Sequence, residues 1–138
     1  MIGSILHRLF GLGRLPSRDQ SALKSEGLRI VHEGISGSVN YRNYRAPGKI
    51  FIRKKIWFLG SLVVTEKRFV AYGFSRRIFN MALGSSDLQK WKIWVEDGRR
   101  LCLGCDASEL SQDQSGNIEF RFTIPDAEIV ADFLKNKA

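Results

Sequence analysis

From Leu28 to Ile124 the chain repeats one pattern, a short run of branched and aromatic residues closed by glycine or another turn former, and only after Pro125 does the period change. Ile118, Phe120, Phe122 and Ile124 alternate with Glu119, Arg121 and Thr123, the two-residue period of a half-buried strand. Beyond Pro125, Ala127, Val130, Ala131 and Leu134, joined by Ile129 and Phe133, recur at helical spacing. Asp126 and Glu128 open that stretch and Lys135 and Lys137 close it, the charge order that suits a helix dipole, with Pro125 suited to the first helical position. A chain written this way buries strand faces along its length and one helical stripe at its end. The expected fold is mainly β, with antiparallel strands capped by a C-terminal helix.

The other strands follow from the same punctuation. Residues 28–35 and 39–45 read as two strands separated by Gly37, and Ala46-Pro47-Gly48 reads as a turn. Residues 50–58 alternate throughout, with Ile50, Ile52, Lys54, Ile56 and Phe58 on one face and Phe51, Arg53, Lys55 and Trp57 on the other. Gly60-Ser61 reads as a turn into a short buried strand, 62–65, and Glu66-Lys67 as a polar tip before 68–74. Residues 78–83 suit a strand or a helix. Trp91, Ile93 and Val95 alternate with Lys92 and Trp94, and Asp97-Gly98 is a strong hairpin signal before 100–105. Residues 106–117 read as a polar loop.

Ahead of this body, Ile2, Ile5, Leu6, Leu9 and Phe10 fall at helical spacing, and Gly11, Gly13 and Pro16 end the segment. It is an amphipathic piece suited to a membrane surface, to the body of the protein or to a partner chain. Residues 14–26 read as a linker, so the expected organisation is 1–26 as segment and linker and 27–138 as one domain.

The net charge of +8 is uneven: residues 40–77 hold ten cations against one carboxylate, Glu66. That bias suggests an anionic partner or a solvated cationic face. No stretch approaches the roughly 20 apolar residues of a membrane span, and the N-terminus lacks the pattern of a signal peptide, so the expected location is cytoplasmic, with peripheral attachment at the inner membrane face as an option. Cys102 and Cys105 are too few for a disulfide framework. As a C-x-x-C pair on a strand they face opposite ways, which reads as structural thiols and not as a metal or redox site. His32 and Glu33, adjacent on a strand, are likewise set apart. No nucleophile–base–orienter trio, phosphate loop or carboxylate cluster appears, so no enzyme activity, cofactor or metal is expected.

A hairpin of Gly60, Leu62, Val63, Val64, Thr65, Arg68 and Phe69, then Asp97-Gly98 with Leu101, then Ser115-Gly116 with Ile118 and Phe120 before a terminal helix, resembles the pleckstrin-homology superfold in its bacterial and GRAM-like branch. The resemblance covers residues 28–137. It implies a strongly bent, partly open barrel of about seven strands whose end is plugged by the helix, burying Ile129, Val130, Phe133 and Leu134. Many such domains bind phosphoinositides through a Lys followed by Lys/Arg-x-Arg in the first hairpin, and others serve as protein-interaction scaffolds. Arg53 and Lys55 give a similar alternation, but within the third expected strand.

The candidate docking residues are therefore Arg42, Arg45, Lys49, Arg53, Lys54, Lys55, Arg76 and Arg77, with Ile5, Leu9, Phe10, Trp57 and Trp94 as interface candidates. The two tryptophans are chosen because each shares its strand face with charges. Acidic lipid headgroups or a partner protein are the expected partners, and self-association into a homo-oligomer stays open. The competing class is single-stranded nucleic acid, because Tyr41 and Tyr44 interleave with Arg42 and Arg45.

Overall fold

The computed structural model describes residues 23–74 and 76–137. Seven antiparallel strands form one open sheet in the order β4-β3-β2-β1-β7-β6-β5. They are β1 (Leu28–Ala46), β2 (Lys49–Thr65), β3 (Arg68–Gly73), β4 (Arg76–Ala82), β5 (Lys92–Glu96), β6 (Arg100–Asp106) and β7 (Ser115–Thr123). A four-residue helix, α1 (Ser86–Gln89), joins β4 to β5, and α2 (Ala127–Lys137) ends the described chain. The mainly β class and the C-terminal helix are as the sequence leads one to expect, and the number of strands is the one that the resemblance implies.

The first two strands differ from that reading. The breaks expected at Gly37 and at Gly60-Ser61 are absent: residues 28–46 form one strand and 49–65 another, paired from Leu28↔Thr65 to Ala46↔Lys49. Each glycine has a packing reason instead of a turning one. A Cβ on Gly60 would lie 1.9 Å from the carbonyl oxygen of Tyr72, and one on Gly37 would lie 2.6 Å from the Phe58 ring. The neighbouring backbone at Gly60 and the Phe58 ring at Gly37 leave no room for a side chain. Register slips between Leu28 and Ile30 and between Glu33 and Ile35, the second spanning Gly34 at φ +68°, let so long a strand bend.

Residues 76–82, ambiguous in sequence, are a strand, and Asp97-Gly98 turns β5 into β6 with both residues at positive φ (56° and 68°), as a type I′ hairpin requires. At the polar tip, Thr65 Oγ1 accepts from the backbone N–H groups of Lys67 (3.1 Å) and Arg68 (3.0 Å) and donates to Glu26 (3.1 Å). Arg68 reaches the same carboxylate at 2.8 Å.

The main core lies on the inner face of the sheet. Leu62, Val64, Phe69, Ala71 and Phe79 from one half meet Leu101, Leu103 and Phe122 from the other, and α2 seals them with Ala127, Val130, Ala131 and Leu134. Ile129, expected in that seal, is instead 65% exposed, and Phe133 is only partly buried. The helix begins two residues later than Pro125, at Ala127, and its buried stripe is the 127–130–131–134 line, with Ile129 turned off it. On the outer face, Leu23 covers Val63, Val70 and Tyr72. His32 Nε2 meets Asp126 Oδ1 at 2.6 Å, tying β1 to the approach to α2.

Gly60→Ala should destabilise the protein by about 2 kcal/mol or more, since the blocking atom is backbone and cannot rotate away. Leu134→Ala should cost about 2–5 kcal/mol through loss of the α2 seal. Urea unfolding of the two variants checks both, and a Gly60→Ala protein as stable as the parent would contradict the close crossing.

Candidate functional site: the basic hairpin

The β1–β2 hairpin runs well past its neighbours. Pro47 and Gly48, the latter at φ +73°, make the tip, in the Pro-Gly order of a type II turn. β3 pairs with β2 only at residues 60–64, so among the described residues 49–59 of β2 have a strand on one side alone. A small aromatic core stiffens this extension. Asn43, at φ +50°, sits where the β1–β7 register slips between Arg42 and Arg45. That bulge brings Tyr41 and Tyr44 together, with ring centroids 4.9 Å apart, and Tyr44 stacks on Phe51 at 6.0 Å. Val39, Ala107 and Ile118 back the cluster. Burial and the neighbouring Tyr44 raise the Tyr41 pKa, and Arg76 pulls the other way. The curl of the sheet thus brings the start of β4 within electrostatic reach of β1.

No carboxylate occurs between Glu33 and Glu66, while Arg42, Arg45, Lys49, Arg53, Lys54 and Lys55 all do. None of these six forms an ion pair with a carboxylate among the described residues. Arg42 lies directly opposite Arg53, and Asn40 opposite Lys55; together they line a recess of about 280 Å³. Lys54 Nζ sits 4.3 Å from the Phe51 ring centroid and Lys55 Nζ 4.1 Å from that of Trp57, so the ammonium groups rest on aromatic faces. Interleaved with the charges, Ile50 is 70% exposed, Ile52 80% and Trp57 65%.

Because β1 and β2 are unbroken, Arg53 and Lys55 belong to the first hairpin and not to a third strand, as the sequence led one to expect. Arg76 and Arg77 are on β4, in register with Gly73 and Tyr72. Ile5, Leu9 and Phe10 lie outside the described residues.

Trp57 and Trp94 fall in one cross-sheet row on the outer face, Trp57–Ser38–Arg121–Cys102–Trp94. Trp94 is not free-standing. It lies over Gly104, where a Cβ would come within 2.9 Å of its ring, and its indole N–H donates to Glu96 at 3.2 Å. Arg121, between the tryptophans, donates twice to Glu96 (2.9 Å each) and once to Glu119 (3.0 Å). That network went unread in the sequence, although Glu119 and Arg121, two apart on the cleanest strand, already share a face. A cleft of about 250 Å³ separates Trp57 from Arg121 over Ser38. The outer face therefore has two parts: an unneutralised cationic hairpin and an Arg121 site closed by its own carboxylates.

Cys102 and Cys105 are buried on opposite faces, in register with Arg121 and Ile118, and burial pushes both thiols up to about 11, away from the reactive thiolate. Among the described residues no three His, Cys, Asp or Glu side chains gather as metal ligands, and no helix is long and apolar enough to cross a membrane. Comparison with family models, with curated proteins and with solved structures finds no significant match to the chain.

The hydrogen bonds from Arg121 hold the Glu96 carboxyl down at about 2, below its ordinary 4.5. A depressed carboxylate stabilises the fold above its unfolded pKa and loses that contribution as pH falls through its folded value. Between pH 4.5 and 2 the parent should therefore lose stability faster than Glu96→Gln, which should be less stable at neutral pH by about 1 kcal/mol, a figure discounted for solvent at this partly exposed pair. Urea midpoints across that range, parent against variant, read out the difference; parallel curves would refute it.

Proposed function

We propose that the chain is a non-catalytic, pleckstrin-homology-like module that docks on an anionic membrane surface through the β1–β2 hairpin, as a peripheral protein of the cytoplasmic face. The order of the seven strands and the C-terminal helix support the likeness in fold. The observation that carries the docking is the hairpin tip: Ile50 and Ile52, 70% and 80% exposed, stand among six cations with no carboxylate.

The two features do different work on a bilayer. A cation close to an anionic leaflet contributes about 1 kcal/mol, and each branched aliphatic side chain buried in the interface about 1.5–3 kcal/mol. Stable attachment takes two such signals, and one hairpin supplies both. The opposed pair Arg42 and Arg53 points the same way. Like charges directly across a ladder destabilise it, and an anionic headgroup placed between them removes the repulsion.

Single-stranded nucleic acid fits less well. A base-stacking platform needs exposed rings. Tyr44 is 7% exposed and stacked on Phe51, Trp57 is exposed but carries the Lys55 ammonium over its ring, and the displayed side chains at the tip are aliphatic.

Cosedimentation with phosphatidylserine-containing vesicles tests the reading. Binding should weaken as salt rises and be absent on pure phosphatidylcholine. Ile50→Asp with Ile52→Asp should lower it at least tenfold, and Glu at Arg53, Lys54 and Lys55 should abolish it. No binding to acidic vesicles at micromolar protein sinks the proposal. Tight, salt-steep binding of an oligonucleotide in place of vesicles would move the function to nucleic acid.

A further inference from the structure

Residues 49–59 of β2 have β1 on one side and, among the described residues, no strand on the other. Their pairs with β1 keep one offset from Ser36↔Leu59 to Ala46↔Lys49, interrupted only at Asn43 and Ile52, so the edge runs over about 35 Å. In an antiparallel ladder every second residue points its N–H and C=O outward from the pair. Natural edges are guarded by proline, a bulge or charge. No proline lies within 49–59 and the β1–β2 register shows no bulge there, which leaves charge alone.

Charge is a selective guard. It repels a strand of the same sign, and so disfavours a second copy of this edge, which would set Lys and Arg rows against each other. It also disfavours residues 1–22 of this chain, where Arg8, Arg14 and Arg18 outnumber Asp19. It does not repel an acidic strand.

We infer that the free edge of β2 takes an acidic, extended segment of a partner protein as an added strand. Backbone hydrogen bonds along 49–59 hold the segment, and alternate side chains give it selectivity. Arg53 and Lys55 share the face of Trp57 and meet carboxylates; Ile50 and Ile52, exposed at the same edge, meet apolar side chains. The segment recognised therefore alternates carboxylate with branched apolar residues. The inference goes beyond membrane docking and does not rest on it.

Three synthetic ten-residue peptides test it on the full chain, in solution without vesicles: alternating Glu-Val, the same peptide N-methylated at every second residue, and alternating Lys-Val. Backbone amide exchange of the protein, followed by NMR, is the readout. The Glu-Val peptide should slow alternate amides within 49–59 and bind at least tenfold more tightly than its N-methylated form, and the Lys-Val peptide should leave exchange unchanged. Equal affinity of the Glu-Val peptide and its N-methylated form would reduce the edge to a charged patch and overturn the inference. So would protection confined to other strands, or protection of 49–59 that grows with protein concentration and needs no peptide, which would assign the edge to a second copy. The vesicle assay reads neither outcome, so failure of one proposal is distinguishable from failure of the other.

Discussion

Everything in this fold leans on β1. It joins the two meanders, pairing with β2 on one side and with β7 on the other. Without it, the β2–β3–β4 meander and the β5–β6–β7 meander are two three-stranded ribbons, each with one apolar face and nothing to cover it. With it they become one curled sheet whose inner faces meet. Leu62, Phe69 and Phe79 then share a core with Leu101 and Phe122, residues distant in sequence. The requirement falls on the geometry of β1. A strand that serves two ribbons must be long, and a long straight strand cannot follow a curled sheet. The slips near Gly34 and Asn43 give it the bends, and Gly37 lets Phe58 lie across it.

That dependence explains which parts of the fold were legible. Period and punctuation placed β3, β5, β6, β7 and α2 within a few residues, because each of those stretches settles its own faces locally. Phe69 and Ala71 separate from Val70 and Tyr72 into the inner and outer cores, as their alternation implies. The hairpin was misread as four strands because glycine has two uses with one spelling. Gly48 and Gly98 are turn residues at positive φ; Gly37 and Gly60 are strand residues where another group passes too close for a Cβ. Only the partner across the ladder distinguishes the two uses, and the partner of Gly60, Gly73, is itself identifiable only once the register is known.

The candidate site divides in the same manner. The basic bias of residues 40–77 was visible in composition, but its meaning depended on neutralisation, which is a property of neighbours. Arg68, Arg100 and Arg121 are each held by a carboxylate within 4 Å, whereas among the described residues the six cations of the hairpin are not. Trp57 and Trp94 looked equivalent as apolar members of charged faces. The structure separates them, because Trp94 rests on Gly104 and donates to Glu96 while Trp57 stands exposed with Lys55 over its ring. Neither distinction is carried by residue type.

An extended, charged hairpin usually costs order at its tip, since unpaired like charges repel and a two-stranded ribbon is marginal in water. Here the aromatic cluster works against that cost. Tyr41, Tyr44 and Phe51 pack together on Ile118 from β7, so the hairpin is braced from the side opposite its free edge. The Asn43 bulge is what brings Tyr44 into the cluster, with Tyr41 on the same face; regular alternation would have sent one of the two rings to the other side. The β1–β2 register does not shift across this bulge, so Arg42 stays opposite Arg53. One left-handed residue therefore anchors the extension while the like-charged pair across the hairpin is kept.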